Sequence, residues 1–181
     1  LGAPLLPKYQ GSSKKLFLAA CDVAMQASRD KLLQIYILGL KTLQAAMQPP
    51  VCGDDIPHKV VNKTVSPFIP LLIEKITELN FRSRDLSMKT LVGLFRHPAM
   101  DVKQFIEAIM DLPVKGPAPD KAPWRTVLAR TESLLHMIQE YGINPKAWDW
   151  TVVFQHLIVP TLFHQNPDVR LISIAVIKEL Y

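Results

Sequence analysis

Between its proline and glycine breaks, this chain carries apolar residues at helical spacing almost everywhere, and no segment alternates like a strand for long. That pattern confines it to an all-α architecture. The breaks mark helices over about 13–26 and 31–48, the second stopped by Pro49-Pro50, then 59–79 with bends at Pro67 and Pro70. Further helices follow over 85–96, closed by His97-Pro98, over 101–112 and over 123–141, where Gly142 is a ready C′ residue. A helix over 145–163 bends at Pro160, and the turn HQNPDVR leads into a last helix ending at Tyr181. Leu16, Phe17, Ala20, Val23 and Ala24 mark the inward side of the first helix, and Leu32, Ile35, Tyr36, Leu38, Gly39 and Leu43 that of the second. PVKGPAPDKAP, 113–123, is too rich in Pro and Gly to be regular.

The helices fall into four antiparallel pairs, 13–48, 59–96, 101–141 and 145–181, and two of these pairs share a register. Counting from Arg84 and Arg170, position +3 is Ser in both (Ser87, Ser173), +4 and +7 are apolar (Met88 and Ile174, Leu91 and Ile177), and +10 is Leu (Leu94, Leu180). Each anchor sits beside an Asp and follows a helix bent by proline. The first pair fits less well, because Tyr36 and Gly39 break the register. The expectation is therefore one domain over 1–181, a right-handed α-solenoid in which every within-pair turn lies along one edge and every link along the other.

The composition of the 181 residues, 49% hydrophobic and 20% charged, suits a globular chain with a sizeable core. The net charge of +5 tilts it toward an acidic partner. Cys21 and Cys52 have no CxxC companion, which argues against a zinc site or disulfide framework and for a reducing setting. The histidines lack HExxH spacing, no GxSxG elbow is present, and the Gly-poor loop at 113–123 is wrong for cradling phosphate. No catalytic residue, metal or cofactor is indicated, so a non-catalytic interaction domain is expected. No apolar run reaches the ~18 residues of a membrane span. Nucleic acid fits the charge but not the missing aromatic-basic interleaving. With no charged n-region before an apolar stretch at its start, the chain reads as a piece of a larger protein.

The within-pair turns are basic: Arg29 and Lys31, Arg82 and Arg84, Lys115 and Lys121, with His164 in the last. Such a one-sided ridge would steer an acidic partner onto the domain. Trp124 either staples the start of its helix or stands on the ridge as an anchor. Trp148 and Trp150 point about 200° apart on a helix, so Trp148 is expected under the preceding link and Trp150 in the core, with a peptide-binding role as the alternative. Arg84 with Asp85 and Arg170 with Asp168 are expected to hold repeats together, leaving Arg82 for a partner.

IVPTLFHQNPDVRLISIAVIKEL, 158–180, resembles the HEAT-repeat consensus, a proline-bent helix, a short turn and an Asp-Val-Arg start to the second helix. FIPLLIEKITELNFRSRDLSMKTLVGL, 68–94, is a looser version. Across essentially the whole chain the compact layout is similar to TOG domains, the HEAT arrays of cytoskeletal, centrosomal, ciliary-tip and kinase-signalling proteins. That resemblance implies binding of unpolymerised or curved αβ-tubulin through the within-pair turns, and hence a cytoplasmic place at the cytoskeleton, centrosome or cilium. The family's first turn typically bears an aromatic, which residues 26–31 lack, and its usual six repeats exceed the four visible here. The alternative is a HEAT scaffold that docks an acidic peptide or partner domain.

Overall fold

The structure, a computed structural model, describes residues 12–110, 122–142 and 149–181. Every element among them is helical. The first pair is α1 (Ser13–Ser28) with α2 (Leu33–Ala46), and the second is α3 (His58–Val65) and α4 (Phe68–Ile76) with α5 (Phe81–Phe95). The third is α6 (Val102–Met110) with α7 (Trp124–Tyr141). In the fourth, α8 (Trp150–Val153), a π-helical turn (Phe154–Ile158) and α9 (Val159–Leu162) run as one bent rod beside α10 (Pro167–Leu180). One layer of the molecule is the stack α2, α5, α7, α10; α1, α3–α4 and α6 form the other. The core between them is apolar, from Phe17 and Leu40 through Phe68, Leu72 and Leu91 to Phe105, Leu134, Ile158 and Val176.

Proline chemistry explains where the first-layer helices depart from the expected single rods. Pro67 has no N–H to continue α3, whose last bond is Ser66 N–H to Asn62 O (2.9 Å), so the expected helix over 59–79 is two. Pro70 falls in the first turn of α4, where no donor is needed. Pro160 likewise removes the bond that His156 O would accept, and the backbone answers by widening to the π pattern, Val159 N–H reaching Phe154 O. The Thr161 hydroxyl lies 2.8 Å from Leu157 O and 2.9 Å from Ile158 O, which supplies a donor to carbonyls around the bend. Gly142 closes α7 at φ 66°, its N–H on Ile138 O at 2.7 Å.

Some inward assignments fail. The buried stripe of α1 is Phe17, Cys21, Ala24 and Ser28, and Val23 is exposed. In α2 the buried set is Tyr36, Gly39, Leu40, Leu43 and Ala46, with Leu32, Ile35 and Leu38 outside. Of the two residues that seemed to break the repeat register, Gly39 is a contact point within this pair and Tyr36 faces the next one. A Cβ on Gly39 would stand 2.8 Å from Ser28 N and 2.9 Å from Ala27 Cβ, so α1 crosses α2 there at backbone distance. The buried Tyr36 hydroxyl is 2.6 Å from Ser87 Oγ and ties α2 to α5.

Candidate partner-binding ridge

Helix α5 starts four residues before the expected Asp85, because Asn80 caps it: its Oδ1 accepts from Arg82 N (3.0 Å) and Ser83 N (3.2 Å). The charges Arg82, Arg84 and Asp85 therefore ride on the first turns of a helix. Arg84 reaches across to α7, where its Nη2 donates to both carboxylate oxygens of Glu132 at 2.6 Å. Asp85 does not take part; it accepts from Lys89 of its own helix at 2.8 Å. At the far end of the same helix Arg96 pairs with Glu140, also on α7. Arg84 thus bridges repeats as expected, without Asp85.

In the last turn, Arg170 Nη1 donates to His164 O and Gln165 O, both at 2.8 Å, so it braces its own turn instead of pairing with Asp168. Asp168 N–H is capped by Asn166 Oδ1 at 2.8 Å. His164 is buried, and its Nδ1 accepts from Asn166 N at 3.0 Å, which makes it part of the turn's framework.

Arg82 is exposed, and among the described residues its guanidinium has no partner. A cation on the first turn opposes the positive end of the helix dipole, at a cost of about 0.3–1 kcal/mol, and α5 has no acidic residue there to offset it. The two residues flanking the cap, Leu79 and Phe81, are 82% and 77% exposed. Sequence reasoning missed them, having looked for an aromatic in the first turn. The signal was present: two large apolar residues around an Asn, followed directly by Arg. Leu32 beside Lys31 and Phe163 beside His164 repeat the theme, so each described within-pair turn pushes an apolar side chain into solvent.

These turns share one edge. A depression of about 150 Å³ is lined by Leu79 and Arg84 from the second pair and by Trp124, Leu128 and Glu132 from the third. Its neighbour joins Arg84 and Glu132 to Asp168 and Leu171 of the fourth. Trp124 is half-buried in this row with the Arg125 guanidinium stacked 4.9 Å from its ring. Below the second turn, Lys75 Nζ sits 5.1 Å from the Tyr36 ring, and burial pushes that phenol up to about 12. The exposed Arg29 lines a separate depression with Pro67 and Phe68, and Lys31 is exposed in the same turn. Lys115 and Lys121 lie outside the described residues, as does Trp148; Trp150 packs half-buried against the core.

No protein-family model matches the sequence, and no curated protein matches it. Among solved structures, the TOG domain of human Cep104 superposes with a TM-score of 0.73 over 93% of this chain at 16% identity. A second structure of the CEP104 TOG domain gives 0.74 over 95% at 18% identity. This chain spans 63% and 66% of those two chains, a little under two thirds of each. The 181-residue chain is an all-helical solenoid with the fold of a TOG domain.

Proposed function

We propose that this domain binds αβ-tubulin, in its unpolymerised or curved form, through the ridge of within-pair turns. The observation that carries the reading is the turn 79–82, where an unpaired Arg82 is held against its own helix dipole between exposed apolar residues, on a solenoid shaped like a TOG domain. Natural sequences break local rules mainly where function requires it, and an aromatic beside an arginine is the usual composition of an interface hot spot. Arg82 and Lys31 supply the charge that meets an acidic protein surface, Phe81 and Leu79 the desolvated contact, and Trp124 the half-buried anchor between repeats. Arg84 and His164 serve as framework beneath them. The domain has no catalytic task in this reading, and its place is the cytoskeleton, at the centrosome or cilium.

Gel filtration with unpolymerised tubulin tests it. The chain is expected to co-elute with tubulin, and Phe81→Ala or the pair Arg82→Glu with Lys31→Glu should each weaken binding by about tenfold or more. Unchanged co-elution of the charge-reversed pair removes the ridge from the mechanism. A second reading, a scaffold that docks an acidic peptide or partner domain, draws on a cavity of about 430 Å³ between α2 and α5, lined by Gln44, Met47, Lys89, Gly93 and His97. Failure to meet tubulin on the column, with retained binding of an acidic partner, would favour it.

A further inference from the structure

Helices α2 and α5 are tied by two side-chain bonds and leave a gap beyond them. Tyr36 meets Ser87 at 2.6 Å, and Gln44 Nε2 donates to Thr90 Oγ1 at 2.8 Å. Past the second bond the walls are Ala45 and Gly93, and a Cβ on Gly93 would meet no atom within 4 Å. The gap is the cavity of about 430 Å³, floored by the buried Met47 and Leu94 and closed at one end by His97. An apolar floor of this size with a few polar groups at the rim is the usual make-up of a ligand site. Gly93 lies eleven residues along α5 from Arg82, about 16 Å, so this groove is separate from the ridge.

The rim specifies the ligand's chemistry. The Thr90 hydroxyl donates to Leu86 O at 2.7 Å, so it can only accept from Gln44; that fixes the Gln44 amide with Nε2 on Thr90 and leaves its Oε1 as an open acceptor. One turn on, the exposed Gln48 amide has no partner among the described residues. An acceptor and donors on one wall are what the N–H and C=O of a peptide require, and a glycine on the other wall lets a main chain approach closely. Among the described residues no carboxylate lines the cavity. Lys89 lines it, and Lys41, on the same face of α2 as Ala45 and Gln48, is exposed and without an ion-pair partner among the described residues. Asp85 accepts from Lys89 at 2.8 Å, so two cations and one carboxylate leave this mouth positive.

Resting on the docking reading of this cavity, we propose that the groove binds an extended peptide strand in which a Glu or Asp stands two residues from a Leu, Ile or Met. Lys89 and Gly93 are one helical turn apart, about 6 Å, and residues i and i+2 of a strand stand about 6.6 Å apart on the same side. The carboxylate therefore meets Lys41 and Lys89 while the aliphatic side chain fills the space beside Gly93, above Met47 and Leu94. The strand's main chain bonds to Gln44 Oε1 and to the Gln48 amide.

Binding of the 181-residue chain to an array of immobilised octapeptides tests this, with Glu, Lys or Ser placed two residues from Leu or Ser in a Gly-Ser background. Peptides with Glu and Leu are expected to retain the chain at least about fivefold more strongly than those with Lys and Leu or with Glu and Ser. Gly93→Leu puts its side chain into open space, filling the groove without displacing the core, and should abolish that preference. Lys41→Glu with Lys89→Glu should turn the preference toward Lys and Leu. Absence of any preference in the wild-type chain, or a preference that survives Gly93→Leu, overturns the proposal. Self-association of the wild-type chain that Gly93→Leu abolishes gives the groove to a second copy and overturns it too. Tubulin co-elution should be unchanged by Gly93→Leu, so failure of the groove and failure of the ridge are read in separate experiments.

Discussion

His97 shows how one side chain can make the link edge sensitive to acid. Its Nδ1 accepts the Ala99 N–H at 3.3 Å and its Nε2 stands 3.9 Å from Cys52 Sγ, so the neutral ring is the one the site is built around. Burial lowers its pKa below the ordinary 6.5, and the neighbouring His58 lowers it further, against the opposing pull of the Met47 backbone. The folded ring therefore takes up its proton at lower pH than the unfolded chain does. The stability tied to the neutral ring is fully present above 6.5 and is lost as pH falls through the folded value. The denaturant midpoint is expected to drop between pH 7 and pH 5, and His97→Asn, which keeps an acceptor near the Nδ1 position, should flatten that part of the profile. A profile unaltered by His97→Asn would place the acid sensitivity elsewhere.

At the scale of the helix, two glycines make opposite predictions. Gly39→Ala drives a methyl against the Ser28 backbone and should destabilise the chain by about 1–3 kcal/mol, seen as a lower denaturant midpoint at constant slope. Gly93, inside α5, has open space where a Cβ would go, so Gly93→Ala should stabilise by about 0.5–1 kcal/mol. Helix identity, pairing and the register of Arg84 with Arg170 were all legible in the sequence, because apolar period and proline placement determine them. The start of α5 was not: residues 80–84 read as a turn ahead of Asp85, and the cap that draws them into the helix depends on where the Asn80 Oδ1 stands against Arg82 N and Ser83 N. Gly39 looked like a flaw for a similar reason: the need for close approach arises from α1, a helix that the local pattern of α2 does not contain. The exposure of Leu38 and Val23 follows from which neighbour each helix packs on, and apolar spacing alone leaves that choice open. The apolar tips of the ridge were hidden in the same way, because a large apolar residue next to a helix reads as core until the helix is placed.

Across the whole molecule, the ridge gathers exposed cations at separate turns, and screening acts on all of them together. On the proposed tubulin-binding reading, affinity for tubulin is expected to fall steadily as salt rises from about 50 to about 300 mM, a range around a Debye length of roughly 10 Å, and the slope should be shallower for Arg82→Glu with Lys31→Glu. A salt-independent affinity would transfer the contact to the apolar tips alone. The two ion pairs between α5 and α7, Arg84 with Glu132 and Arg96 with Glu140, lie twelve residues apart on α5, about 18 Å along its axis. Two contacts that far apart oppose a pivot of α5 on α7 about either one alone, and with it a change in the gap between the second turn and Trp124. On the proposed reading, a partner whose acidic sites match that pitch meets a ruler already cut to length, and one that does not match it must bend itself.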